Sequence, residues 1–207
     1  KQPALLLKTS GATSSIIDRE ECLRKLNNIK SMFPNDWKLP NVYLLHGSLS
    51  TEEMNKLYNH PKVKAFVSLT HGEGYGRPIQ EATMVGLPVM VSGWSGHLDF
   101  LNPELSLILP GNLVDIPKSA IWENVIIPES KWFNCDSNSV YKGFNILFND
   151  YKTYKDRAVK LMEINRKKFT LNKMTDKFDE IMSNYLKSLP EQVSLKLPKL
   201  KKVKETV

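Results

Sequence analysis

Short apolar, strand-like runs alternate along this chain with stretches of helical periodicity, and that alternation restricts the fold more than any other feature. "ALLLKTS" (4–10) precedes a helix-like stretch from Asp18 to Phe33, in which Cys22, Leu23, Leu26, Ile29 and Phe33 share one face and Asp18 and Glu21 have capping-box spacing. "NVYLLHG" (41–47) leads into "SLSTEEMNKLYNH", with a second box at Ser50 and Glu53 and an apolar side of Met54, Leu57 and Tyr58. "KAFVSLT" (64–70) runs into a glycine turn and the helix-like "PIQEATMV", opened by Pro78 and closed by Gly86. "LPVMVS" (87–92) and "LSLILP" (105–110) bring the candidate strands to five. Strands interleaved with helices in this way form βα units, so the expectation is an α/β fold built on a parallel sheet.

Beyond residue 110 the pattern dissolves into a surface excursion (111–136) whose Trp122, Trp132 and Phe133 imply packing against something. Helical periodicity returns over 138–149 and 151–169, and in "NKMTDKFDEIMSNYLKSL" Met174, Phe178, Ile181, Met182 and Tyr185 line one face, so these read as packing helices. Residues 187–207 hold six lysines against Glu191 and Glu205, within a formal charge of +7 for the whole chain. This segment reads as an extended, solvated basic tail, with membrane-surface or partner contact as the alternative. The rest is only mildly basic, and its aromatics fall at core spacing with no stacking platform, so specific nucleic-acid binding is not expected.

Two cysteines, Cys22 and Cys135, form no framework or metal-ligand spacing and read as core thiols in a reducing compartment. No apolar run approaches the roughly 18 residues of a membrane span, and the chain reads as cytoplasmic, with peripheral membrane contact through the tail as the variant. The strand that begins almost at residue 1, without an initiator methionine, suggests a piece of a longer protein.

The stretch "THGEGYGRPIQEATMVGLPVMVSGWSG" (70–96) carries the chemistry. In an open parallel sheet, ligands bind beyond the carboxyl ends of the strands, where a loop enters a helix with unpaired N–H groups. Gly72, Gly74 and Gly76 are expected to permit positive φ and close approach of a ligand, and the helix dipole adds positive potential for an anion. The spacing is neither G-x-G-x-x-G nor a P-loop. Glu73 and Glu81 flank this anion site, which suits a ligand with a diphosphate in the middle and a sugar at each end: Glu81 for a ribose diol, Glu73 for the transferred sugar, where its charge stabilises an oxocarbenium-like transition state. Arg77 pairs with a phosphate or with Glu81, and the Tyr75 ring packs at the cleft wall. His71 and His97 are expected to be structural, His46 and His60 turn residues. There is no D-x-D and no His/Cys cluster, so no metal is expected.

"EGYGRPIQE", in its setting of strand, turn and helix, resembles the E-x7-E signature of retaining glycosyltransferases of family 4, and the similarity runs from residue 4 to residue 187. The resemblance implies the C-terminal half of a GT-B fold: a Rossmann-like three-layer α/β/α domain (1–186) whose first strand is expected upstream, followed by the tail (187–207). It implies transfer of a sugar from a nucleotide-diphosphate sugar with retention of configuration, with no cofactor beyond that donor. Glu73 and the amides of Gly74, Tyr75 and Gly76 would meet sugar and phosphates, Glu81 the ribose, and the turn from Gly47 through Ser48 to Leu49 the nucleobase. The family's G-R-x-x-x-x-K-G phosphate motif is missing; Lys8 is the substitute within this chain, and otherwise the pair lies upstream. The N-terminal acceptor domain is missing too, so turnover by this chain alone is not expected, and the acceptor, whether glycan, lipid or protein, stays open. A non-catalytic nucleotide-sugar module is the rival reading.

Overall fold

The computed structural model describes residues 2–9 and 15–187; the predicted extension of the tail falls outside them apart from Lys187. The chain divides into two compact units, 1–166 and 167–207.

In the first unit the five predicted strands all form, as a pair and a triple. Strand β1 (Leu5–Thr9) is followed by α1 (Ile16–Ser31) and β2 (Val42–His46), and β1 and β2 pair in parallel from Leu5 opposite Val42 to Thr9 opposite His46. Then come α2 (Thr51–Tyr58), β3 (Phe66–Ser68), α3 (Arg77–Met84), β4 (Val89–Ser92), a 3₁₀ turn (Gly96–Phe100) and β5 (Leu107–Leu109). Strand β4 lies in the middle of the parallel triple β3-β4-β5, with Phe66 opposite Val89 and Met90 opposite Leu107. The chain is thus a mixed α/β protein with parallel sheets and six α-helices among the described residues.

Burial follows the strand's place. All four residues of β4 are buried, as expected of a parallel strand covered on both faces, whereas Leu5 and Leu6 of β1 remain about two-fifths exposed. Pairing on one side only leaves β1 and β3 each with an edge free of any described strand.

The excursion at 111–136 is more regular than its sequence suggests. Strands β6 (Gly111–Asp115) and β7 (Lys131–Cys135) pair antiparallel, with Leu113 opposite Phe133 and Val114 opposite Trp132. Gly111, Asn112 and Asp115 dilute the apolar alternation of β6, and its partner lies 15 residues further on, so no local pattern announced the ribbon.

Helix boundaries follow capping chemistry. Helix α1 starts earlier than predicted because Ser15, in extended geometry, accepts from the Asp18 N–H; Asp18 sits inside the helix. Its predicted apolar face is only partly covered: Cys22, Leu23 and Leu26 are half-buried and Ile29 is exposed, beside a cavity of about 270 Å³ lined also by Leu7 and Leu44. The box on α2 forms as read, with Ser50 N–H to Glu53 Oε2 at 2.8 Å and Glu53 N–H to Ser50 Oγ at 3.2 Å.

Helix α4 (Ser137–Asn149) begins at the Asp136 cap and packs on Met90 and Leu109 through Leu147, with Cys135 and Val140 at the margin. Burial pushes the Cys135 thiol pKa up, but Cys135 and Cys22 are both only partly buried, so neither is the core thiol expected of it. Gly143 allows the close approach of α4, since a Cβ there would lie 2.6 Å from Met90 Sδ. Helix α5 (Tyr151–Lys168) secures the far end of α3: Lys155 Nζ donates to the Gly86 carbonyl and Arg166 Nε to the Met84 carbonyl at 2.7 Å. Two cations thus meet the negative end of the helix whose other end faces the glycine loop.

In the second unit, α6 (Leu171–Leu186) is capped by Thr170, which accepts from the Lys173 N–H. The apolar row Met174, Phe178, Ile181, Met182 and Tyr185 is present but exposed, and α6 has no buried residue. No described helix is long and apolar enough to cross a membrane.

Candidate functional site

The loop 69–76 leaves the carboxyl end of β3 and enters α3 through Gly76, whose φ of +83° is left-handed. Gly76 is buried against His97, and a Cβ there would lie 2.8 Å from His97 Cβ. The expectation of positive φ at all three loop glycines is corrected: only Gly76 needs it. A Cβ on Gly74 would enter open space, so this glycine leaves the backbone accessible rather than bent. Helix α3 begins at Arg77, which puts Pro78 at its second position, and Ile79 and Gln80 donate back to the Gly76 carbonyl, both at 3.0 Å. The amides of Gly74, Tyr75, Gly76 and Arg77 have no acceptor among the described residues. Four N–H donors at the positive end of a helix suit an anion.

Glu73 is half-buried, and its carboxylate has no hydrogen-bond or ion-pair partner among the described residues. Its main chain is held by the turn that follows β4. Ser95 Oγ accepts from the Glu73 N–H at 3.0 Å and donates to the Glu73 carbonyl at 2.5 Å, and the Gly96 N–H donates to the same carbonyl at 3.1 Å. Gly96 is required for this approach, because a Cβ would collide with the Gly74 carbonyl.

Glu81 is fixed differently. Its Oε1 lies 3.3 Å from Arg77 Nε, one turn away on α3, and its carboxylate meets the Tyr58 hydroxyl at the end of α2. Burial, and then the neighbouring Glu81 charge, push the Tyr58 pKa up to about 12, so the phenol keeps its proton and serves as a donor. Arg77 pairs with Glu81, as one of its two alternatives expects, and its guanidinium remains mostly exposed.

No family model and no curated protein matches the chain. The chemistry of the site therefore rests on its geometry.

The histidines divide by hydrogen bonding. His71 Nδ1–H donates to the Phe133 carbonyl at 3.0 Å while the Phe133 N–H returns a bond to the His71 carbonyl, and its ring stacks on Trp132 at 4.4 Å. This ties the glycine loop to β7. His97 is fully buried, with Nε2–H donating to the Ser92 carbonyl at 2.7 Å; Nδ1 finds no partner among the described residues. Both positions match a structural role. His60 is a turn residue, accepting from the Lys62 N–H, whereas His46 ends β2.

The Tyr75 ring packs on Phe100 with centroids 5.2 Å apart and remains partly exposed. Trp94 stands beside Gly72 and parallel to Phe133, and remains partly exposed.

The other predicted site residues gather at the carboxyl ends of β1 and β2. Lys8 Nζ donates to the Gly47 carbonyl at 2.6 Å, which joins it to the turn of Ser48 and Leu49 rather than to the glycine loop. Gly47 has a φ of +106° and a Cβ there would enter open space, while Ser48 is exposed and Leu49 half-buried. No group of three or more His, Cys, Asp or Glu able to hold a metal occurs among the described residues.

Sequence reasoning missed Ser95, Gly96 and Tyr58 as parts of this site. The glycines of "GWSG" were the available signal for a tight turn, whereas Tyr58 read only as one side of an apolar helix.

Proposed function

We propose that this chain is the donor-binding half of a retaining glycosyltransferase of GT-B type, a Rossmann-like three-layer domain that holds a nucleotide-diphosphate sugar and works with an N-terminal acceptor domain. One observation carries the reading: amides at residues 74–77 with no acceptor among the described residues open the N-terminus of α3, with Glu73 on the loop before them and Glu81 within the helix. A diphosphate is a chemical match for such donors, and each carboxylate is a match for sugar hydroxyls.

In this reading the amides and the exposed Arg77 take up the charge that develops on the departing diphosphate. Glu73, whose carboxylate has no partner among the described residues, stabilises the electron-poor anomeric carbon. Glu81, held by Tyr58 and Arg77, presents its remaining acceptor capacity to a ribose diol, and the turn of Ser48 and Leu49 receives the base. The donor is a substrate; the reading calls for no resident cofactor. A cytoplasmic setting supplies such donors, and the basic tail suits contact with an anionic membrane surface.

A non-catalytic nucleotide-sugar module is favoured by one observation, since Lys8, the candidate cation for the diphosphate, is engaged with the Gly47 carbonyl. Thermal shift against UDP, GDP and their sugars tests the shared part of both readings: a rise in melting temperature with one nucleotide family supports a donor site, and no rise with any overturns it. Transfer assayed with the acceptor domain present separates the two.

A further inference from the structure

Ser95 has a φ of +90° and a ψ of −171°, a region in which glycine is nearly the only residue found. It lies between Gly93 and Gly96, in a turn already supplied with glycine, yet this position keeps a side chain. The hydroxyl explains why. It takes the N–H of Glu73 and gives its own proton to the carbonyl of Glu73, so one atom holds both peptide groups of a residue 22 positions earlier in the chain. The Gly96 N–H adds a second donor to that carbonyl, and contact of Gly96 with the Gly74 carbonyl holds the next peptide in place.

The Glu73 carboxylate has no hydrogen-bond or ion-pair partner among the described residues, so the hydrogen bonds that place this residue are those to its main chain. From this we infer that Ser95 is a positioning residue: its strained backbone is retained because the hydroxyl aims the Glu73 carboxylate and the following amides at the ligand. The inference rests on the donor-site reading and adds a residue that acts only through Glu73.

Ser95→Gly separates positioning from structure, since glycine accepts the backbone geometry without strain while removing the hydroxyl. The chain, Ser95→Gly and Glu73→Ala are compared by calorimetry with UDP, GDP, UDP-glucose and GDP-mannose, and by thermal melting. In the expected result Ser95→Gly melts within about 2 °C of the parent. Its affinity for the nucleotide sugar, relative to that for the matching nucleoside diphosphate, falls at least about five-fold, as in Glu73→Ala.

An unchanged ratio in Ser95→Gly alongside a lowered one in Glu73→Ala overturns the inference alone. So does a large drop in melting temperature with equal losses for both ligands, which marks Ser95 as structural. If the parent chain binds none of the four, or Glu73→Ala leaves the ratio unchanged, the donor-site reading falls and the role of Ser95 falls with it.

Discussion

Asn165 on α5 donates to the Thr83 hydroxyl on α3 at 2.9 Å, and each residue is only 1% exposed. The same amide reaches the Phe100 carbonyl at 3.2 Å, and Thr83 passes its own proton to the Gln80 carbonyl at 2.7 Å. A buried polar chain thus joins α5, α3 and the 3₁₀ turn that carries His97. Removing Asn165 takes the donor away from the buried Thr83 hydroxyl.

Asn165→Ala is therefore expected to cost about 1–3 kcal/mol of folding stability, the penalty for buried groups left unsatisfied. Urea denaturation checks it, and an unchanged midpoint would show that the chain of bonds contributes nothing.

Gly76 and Gly74 should respond oppositely to alanine. At Gly76 the left-handed φ and the contact with His97 add backbone strain to overpacking, and a loss of about 2 kcal/mol or more is expected. Gly74→Ala, with neither burden, should unfold close to the parent. Equal midpoints for the two variants would contradict the different demands made on the two glycines.

Glu73→Ala should leave the fold intact, since the carboxylate has no protein partner among the described residues, while transfer by the full-length enzyme falls about 100-fold or more. Full activity in that variant would remove Glu73 from the reaction.

Tyr58 makes stability sensitive to alkali. Its folded pKa of about 12 exceeds the ordinary value of 10.0, so folding favours the protonated phenol. That contribution is fully present below pH 10 and is lost as pH rises from 10 towards 12, because the unfolded chain releases its proton first. Tyr58→Phe should accordingly lose less stability than the parent across that window. Parallel pH profiles for the two proteins would show that Tyr58 does not titrate in this way.

Much of this architecture is legible in the sequence. Periodicity located all five parallel strands and the limits of α4 and α5 to within a residue, because those signals are local and repeat along the element that carries them, while α2 is shorter at both ends than the stretch 48–60 read for it. The β6/β7 ribbon was not legible, since Phe133 and Leu113 become neighbours only once a long connection has closed. The apolar row on α1 was readable, but how little of it would be covered was not, because coverage depends on what packs there.

The candidate site divides in the same way. The spacing of Glu73 and Glu81 around a glycine turn, and the helix that Pro78 opens, are properties of contiguous residues, and a linear reading reaches them. Which glycine bends left-handed, which hydroxyl holds Glu73, and whether Lys8 is occupied by a carbonyl were decided by tertiary structure alone. Local sequence sets backbone preference and side-chain period; a hydrogen bond between Ser95 and Glu73 exists only because parallel pairing of β3 with β4 places their carboxyl-end turns side by side.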